Sequence, residues 1–158
     1  MIIRSLGNGI TSWHAATRLT VANNTSVFNG GNGILIGSGD SGATSGNTGG
    51  YILNNITYGN AGAGIVEHDD GKHPVGPNSY MTNLMFANRE NEIAPRRGGN
   101  VSGSIMADPL FVDASKDDYH VQPTSPAVDA GTGMGPISDL DGTAQPQGRS
   151  YDIGAYER

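Results

Sequence analysis

The chain has 158 residues, of which 25 are glycine, and carries a formal net charge of -6 at pH 7. Glycine is thus about twice as frequent as in an average protein, which favours a turn-rich β fold over helices. The acidic balance argues against a nucleic-acid surface, and no apolar run approaches the length of a membrane span.

The N-terminal segment leads directly into a strand-like stretch at Ile10, and residues 1–10 contain no apolar run of signal-peptide length. The chain has no cysteine, so disulfides and thiolate metal sites are excluded while the compartment stays open. An uncovered first repeat would expose a sheet edge. We therefore expect either upstream residues or a second protomer to cover it, the latter giving a homo-oligomer through the N-terminal coil.

One pattern occurs three times: an asparagine, a second asparagine five residues later, and an isoleucine five residues after that. A fixed internal period indicates stacked supersecondary units. Stacked asparagines can bond to one another up the stack, and asparagine also tolerates the left-handed backbone of tight turns. We therefore expect two structural ladders in these turns. Their members are Asn24, Asn55 and Asn83, and Asn29, Asn60 and Asn88.

Short apolar segments between glycine and asparagine turns predict strands at 34–36, 51–53, 65–66 and 80–81. The isoleucines at positions 10, 34, 65 and 93 are spaced by 24, 31 and 28 residues. The additional residues, within 39–50 and 69–78, follow the isoleucine strand each time. Insertions at one phase of a repeat map to loops on one face, which is often the binding face.

Alignment of the strands on these isoleucines predicts two neighbouring columns of side chains. One column contains Trp13, Gly37, His68 and Arg96, and the next contains His14, Ser38, Asp69 and Arg97. The sequence therefore predicts a polar surface of acids, imidazoles and guanidinium groups on this face.

The densest cluster of charge is Glu-His-Asp-Asp-Gly-Lys-His, which begins at Glu67. Glu67, Asp69 and Asp70 are candidate catalytic acids, because a carboxylate pair serves a glycosidase when one pKa is raised by its neighbour. Alternatively these carboxylates bind Ca²⁺, and Arg97 or Lys72 is the base of a lyase. A solvated loop is the remaining interpretation.

Aromatic and basic residues near this cluster form a predicted substrate-binding set. Trp13 is the only tryptophan, and its indole either stacks on a sugar or covers the open end or an interface. Arginines can clamp the carboxylate of an acidic sugar, or they can pair with nearby acids, which are Glu90, Glu92, Asp69 and Asp70. The set consists of Trp13, His14, His68, His73 and Arg96.

The composition changes near residue 100. Beyond it asparagine is absent, whereas eight of the eleven aspartates and five of the eight prolines follow. This predicts coils over 1–105 and a capping segment over 106–158 that packs on the last coil. Asp139 and Asp141 begin a motif similar to a calcium loop, but the further ligands of an EF-hand are missing. A turn held by aspartate-to-backbone bonds is the alternative, and His120 is expected to be structural.

These motifs resemble two known groups of sequences. The paired asparagines followed by a Gly-Ile strand start resemble the carboxy-terminal part of right-handed parallel β-helix proteins, the pectate-lyase-like superfamily. The segments 107–113, 118–131 and 152–157 look like the choice-of-anchor Q domain, which follows β-helices in bacterial surface proteins. Gln145 stands where that domain commonly has arginine before Pro146, and its usual sorting signal does not follow Glu157.

The resemblance implies an all-β fold, a right-handed single-stranded parallel β-helix of three to four coils with an irregular C-terminal cap. It also implies an extracellular or cell-surface location and a polysaccharide as the partner. The expected function is a polysaccharide-binding module, which as an enzyme would be part of a polysaccharide lyase or glycoside hydrolase. The expected cofactor is either none or Ca²⁺. The alternative is a structural or adhesive module that oligomerises through its N-terminal coil.

Overall fold

The computed structural model describes residues 1–39, 46–90, 93, 95–133 and 136–158. These residues are all-β, apart from one 3-10 turn at Ala114–Lys116. Among them there is no helix that is long and apolar enough to span a membrane. The strands are β1 Ile2–Ile3, β2 Ile10–Ser12, β3 Thr20–Ala22, β4 Thr25–Val27, β5 Ile34–Gly37, β6 Tyr51–Leu53, β7 Ile56–Tyr58, β8 Ile65–His68, β9 Ser79–Met81, β10 Leu84–Phe86, β11 Asn100–Ser102, β12 Phe111–Asp113 and β13 Asp118–Val121.

Successive repeats each contribute strands to three parallel sheets. Their strand orders are β1-β4-β7-β10, β2-β5-β8 and β3-β6-β9-β11. In the second sheet Ile10 pairs with Ile34, and Ile34 pairs with Ile65, so the phase of the sequence repeat is the register of the sheet. Parallel strands stacked in this way are compatible with a solenoid.

The predicted strands that begin at Ile34, Tyr51 and Ile65 are confirmed as β5, β6 and β8, and residues 80–81 lie in β9. The predicted insertion at 69–78 lies between β8 and β9, whereas residues 40–45 of the other insertion lie outside the described residues. Strands β4, β7 and β10, which lie between the two asparagines of each repeat, were not predicted from the sequence. Three residues are too few to display a convincing alternation.

Both predicted asparagine ladders are present. The backbone and side-chain nitrogens of Asn24 donate to Asn55 Oδ1 at 3.0 and 3.1 Å, and Asn55 donates in the same way to Asn83 Oδ1 at 3.1 and 2.9 Å. Buried backbone groups at the turns are thereby satisfied by side-chain amides of the neighbouring repeat. The second ladder repeats this pattern through Asn29, Asn60 and Asn88.

The left-handed turn residues lie one position before the ladder asparagines, so the expectation that the ladder residues themselves form the turns was wrong. The left-handed residue bends the chain between strands of two different sheets. The asparagine that follows it then points inward and reaches the adjacent repeat. The left-handed residues are Asn23, Asn54 and Thr82 before the first ladder, and Phe28, Gly59 and Ala87 before the second.

An apolar core fills the space between the three sheets. It is formed by inward-facing residues of adjacent strands, including Ile34, Ile52, Ile65 and Tyr80, each at most 1% exposed. Ile93 also belongs to this core, whereas residue 94 beside it lies outside the described residues. The core therefore accounts for the isoleucine period seen in the sequence.

The C-terminal segment packs along the outer face of the β1-β4-β7-β10 sheet, which corrects the expectation that it lies on the last coil. Val121 and Ile153 of this segment join a second apolar cluster with Ile56 and Leu84. The segment reaches the first repeat through an ion pair of 2.6 Å between Arg4 and Asp117. Outward positions of this sheet such as Ile56 and Leu84 are apolar and covered by the segment, and the outward Thr25 hydroxyl accepts the Ala155 N–H at 3.0 Å. Both faces of the sheet are therefore buried, as is usual for parallel sheets.

Candidate functional site

The candidate site lies at the end of β8 and in the loop that follows it. His68 is exposed and pairs with Gly37 in the sheet register. The Trp13 indole stacks on the His68 ring, with 5.5 Å between centroids and 14° between planes. A Cβ at Gly37 would lie 2.3 Å from the indole, so only glycine leaves room for this stacking. The predicted column of these three residues is therefore present.

Glu67 faces the interior, which corrects the expectation that it belongs to the polar surface. Glu67 is only 1% exposed, because side chains alternate along β8, with Ile65 and Glu67 facing inward and His68 facing outward. Glu67 Oε1 accepts bonds from the Tyr80 hydroxyl at 2.6 Å and from Asn78 Nδ2 at 2.9 Å. This carboxylate is fully engaged within the fold.

Tyr80 and Asn78 are site-related residues that the sequence reading missed. Burial raises the pKa of Tyr80, and its bond to Glu67 adds to the effect. A signal did exist in the sequence: Tyr80 occupies the same register position as Ile52, so its hydroxyl had to find a polar partner inside the core.

Asp69 and Asp70 are held by the loop that they begin. Asp69 Oδ1 accepts the Gly71 N–H at 2.7 Å, and Asp70 Oδ1 accepts the His73 N–H at 2.8 Å. His73 Nδ1 lies 2.7 Å from Asp70 Oδ2. Both carboxylates therefore act first as acceptors for the turn.

These hydrogen bonds lower the pKa of both aspartates, which contradicts the expectation of a raised pKa. For Asp69 the main cause is the Gly71 N–H, with a further contribution from Arg97. For Asp70 the bonds from the His73 backbone and ring lower the pKa to about 2. Two ionised carboxylates do not supply the protonated acid that a glycosidase requires.

The two arginines border a shallow cavity of about 380 Å³ together with Asp69 and Gly71. Arg97 Nε lies 3.3 Å from Asp69 Oδ2, and the Arg97 side chain is half exposed. The Arg96 backbone N–H donates to Glu67 Oε2 at 2.6 Å, and its side chain extends towards solvent. The expected alternative, pairing with a nearby acid, is thus present for Arg97 and Asp69, whereas Glu92 lies outside the described residues.

His14 lies beyond the end of β2, where the pairing of β2 with β5 has ended at Ser12. Strand pairing therefore does not align His14 with Asp69. Its backbone is left-handed, with φ of 67°, and the residue is exposed. In the second predicted column Arg97 pairs with Asp69, and the Ser38 N–H donates to the His68 carbonyl at 3.2 Å, which continues the β5–β8 register to Ser38 and Asp69. Lys72, the other candidate base, is exposed on the 69–78 loop.

The carboxylates proposed as calcium ligands all face hydrogen-bond donors. Asp139 Oδ1 accepts the N–H groups of Asp141 and Thr143 at 2.9 and 2.7 Å, and its Oδ2 accepts the Glu157 N–H at 3.0 Å. Asp141 Oδ2 lies 2.9 Å from His120 Nε2. In the described part of the chain, no three His, Asp or Glu side chains form a group that could hold a metal ion. The donor sets at Asp69 and Asp139 therefore fit turns rather than Ca²⁺.

The arrangement offers a stacked aromatic pair, exposed guanidinium groups and ionised carboxylates on one outer face. Such groups can bind a hydroxyl-rich or charged ligand by stacking and hydrogen bonding. Comparison with known proteins found no matching family model, no matching curated protein and no matching solved structure.

Proposed function

We propose that the chain is an extracellular, right-handed single-stranded parallel β-helix module that binds a polysaccharide on the outer face of the β2-β5-β8 sheet. The observation that carries the proposal is the stacking of half-buried Trp13 on exposed His68 beside the cavity of the two arginines. An indole fixed in this way loses little conformational entropy when a sugar ring packs on it.

The hydrogen-bonding groups needed for a sugar lie near the indole. A Cβ at Gly39 would lie 3.1 Å from the Trp13 ring and 3.7 Å from Asp70 Cβ, so the ring borders the 69–73 loop. Arg97 forms an ion pair with Asp69, the residue that follows His68, and their side chains are 51% and 12% exposed. Sugar hydroxyls both donate and accept, and such a pair offers partners for both roles.

Binding is the core of the proposal, and cleavage is its narrower form as part of a polysaccharide lyase or glycoside hydrolase. In a lyase, ionised Asp69 is better placed to take a proton than buried Glu67. An Asp69→Asn variant should then lose product release from glycans while Glu67→Gln retains it. Equal activity of the wild type and Asp69→Asn would reject this assignment.

A glycan array with two matched aromatic variants tests the binding site. Trp13→Ala should weaken binding about tenfold or more, since losing a stacked ring costs on the order of 1–2 kcal/mol. Tyr51→Ala removes a ring that is 40% exposed on a different sheet and should leave binding unchanged. Equal affinities of the two variants would contradict the proposed site, and no binding of any glycan by the wild type would contradict the function.

A second candidate function is a structural or adhesive module that oligomerises through its N-terminal coil. It is favoured by Leu6, which is fully exposed, and by β1, β2 and β3, which are edge strands in their sheets. Exposed apolar groups and strand edges promote association. Light scattering should then give an oligomer that Leu6→Lys dissociates, and an unchanged mass for this variant would count against it.

A further inference from the structure

The interior of the strand stack is open at the end formed by β11. Val101 pairs with Tyr80 and continues the inward column of Ile52 and Val21. Those three residues are 0%, 0% and 6% exposed, whereas Val101 is 41% exposed. A residue in a core position is therefore left partly in water, because no further strand among the described residues pairs beyond β11.

The same opening exposes a methionine beside a cavity. Met106 directly follows Ile105, which bridges to Leu84 of β10, and Met106 is 68% exposed. A cavity of about 380 Å³ lies next to it. We call this surface the β11 end. It is lined by Met85, Ile93, Val101, Ser102, Gly103, Ser104 and Met106.

The β11 end also contains an unpaired polar group. Among the described residues, Ser104 Oγ is the one buried side-chain nitrogen or oxygen atom without a hydrogen-bond partner. The outer edge of β11 is likewise unpaired, since β11 ends the β3-β6-β9-β11 sheet. Its sequence, Asn-Val-Ser, contains none of the charged or proline residues that usually protect a sheet edge.

Charge indicates what covers this end. Among the described residues, none that lines it is charged, although the chain as a whole carries -6. Two copies of an acidic protein repel each other over most of their surface, and this repulsion is smallest where uncharged surfaces meet. The exposed and flexible Met106 side chain beside the cavity can adapt to a partner surface, and identical surfaces meet across the two-fold axis of a homodimer.

We propose that two copies of this chain form a dimer through the β11 end, related by a two-fold axis close to Val101. Strand β11 then pairs antiparallel with β11 of the second copy, and Met106 of each copy fills the cavity of the other. The two open cores become one continuous core. This interface lies at the opposite end of the stack from Leu6 and leaves the Trp13 face accessible.

Sedimentation velocity on the whole chain tests the assembly. The wild type should have twice the 16.3 kDa mass of one chain, and Val101→Lys or Met106→Lys should restore the single-chain mass with an unchanged circular dichroism spectrum. Ile137→Lys is the matched control, since Ile137 is 88% exposed outside this surface. A single-chain mass for the wild type, or an unchanged dimer in both β11-end variants, would overturn the proposal.

Disulfide trapping tests the symmetry, because the native chain has no cysteine. Opposed residues of antiparallel strands lie within reach of a disulfide, so Val101→Cys should form a covalent dimer on oxidation with diamide. Ile137→Cys should remain monomeric on a non-reducing gel. A dimer by mass that Leu6→Lys dissociates, or that Val101→Cys does not trap, would replace this interface by another one.

Discussion

Buried amides hold the turns of this protein at the level of single residues. Asn60 Nδ2 donates to Asn88 Oδ1 at 2.7 Å and to the Ser26 carbonyl at 3.1 Å, and its own oxygen accepts two bonds from Asn29. Each of these partners is buried. Loss of the Asn60 amide would remove the acceptor of the buried Asn29 backbone N–H, whereas Asn29 Nδ2 keeps Ser26 Oγ at 3.0 Å and Asn88 Oδ1 keeps the Asn60 backbone N–H at 3.1 Å. A buried group left without a partner costs more than the bond itself contributes.

We predict that Asn60→Ala lowers the free energy of unfolding by about 2–4 kcal/mol, since each buried unsatisfied group costs about 1–3 kcal/mol. Urea denaturation followed by circular dichroism measures the change. Asn100→Ala, at an exposed position, is the control and should change stability by less than about 0.5 kcal/mol. Similar losses in both variants would show that the ladder amide has no special role.

The raised pKa of Asp152 makes the stability of the fold depend on pH. Burial raises its pKa to about 6 from the ordinary 3.8, and the nearby Glu157 carboxylate adds to this effect. The folded state therefore binds the proton more tightly than the unfolded state. Its stabilising contribution is complete below about pH 4 and is lost as the pH rises through about 6.

We predict that the wild type loses up to about 3 kcal/mol of stability between about pH 4 and pH 7 relative to Asp152→Asn, since one pKa unit corresponds to about 1.4 kcal/mol. Urea titrations of both proteins over this range measure the difference. His120 also has a raised pKa, mainly through Asp141, but its contribution is common to both proteins and cancels. Parallel pH profiles would contradict the assignment to Asp152.

The strands between the asparagine pairs depend on a left-handed residue at their end. Phe28, Gly59 and Ala87 occupy this position in successive repeats, with φ between 54° and 63°. The position tolerates different residues only at a cost, because a Cβ in this conformation crowds the following carbonyl oxygen. Gly59 is additionally restricted, since a Cβ there would lie 2.7 Å from the Phe28 ring.

We predict that Ala87→Gly stabilises the protein by about 0.5–1 kcal/mol, because relief of the left-handed strain outweighs the greater entropy of glycine in the unfolded chain. Ala61→Gly removes the same methyl group at an exposed residue without positive φ and should destabilise by up to about 1 kcal/mol. The melting temperatures should therefore move in opposite directions. A decrease in both variants would refute the argument.

The C-terminal segment connects the repeats at the scale of the whole molecule. It covers the outward face of the β1-β4-β7-β10 sheet and contacts residues from the first repeat to the fourth. Tyr58, for example, packs edge-on against Phe111 with 5.4 Å between ring centroids. Interactions that span all repeats couple their unfolding, whereas a bare repeat array contacts only its neighbours.

We predict that Ile153→Ala lowers the unfolding free energy by about 2–4 kcal/mol without broadening the transition, because a large side chain is removed from a shared core. Ile137→Ala is the control, since this side chain is 88% exposed and its loss should be nearly neutral. Denaturation followed both by tyrosine and by tryptophan fluorescence tests the coupling. Two separate transitions would show that the segment unfolds independently of the repeats.

The amount of the site that could be predicted differs from residue to residue. The Trp13–His68 column followed from strand register alone, because residues at equal phase in stacked strands are neighbours. The inward direction of Glu67 required the alternation along β8, which the run of polar residues concealed. The lowered pKa of Asp70 required the loop conformation, since N–H groups two and three residues away produce it.

The sequence by itself determined the period, the register of the sheets and both asparagine ladders, because these depend on residues at equal spacing along one chain. Only the tertiary structure decided that the C-terminal segment lies along the side of the stack and leaves Val101 and Met106 exposed at the β11 end. Composition shows where the C-terminal segment begins along the chain. Where this segment packs depends on which apolar face of the repeats it can bury. That face became recognisable only when β4, β7 and β10 were aligned with Ile56 and Leu84 pointing outward.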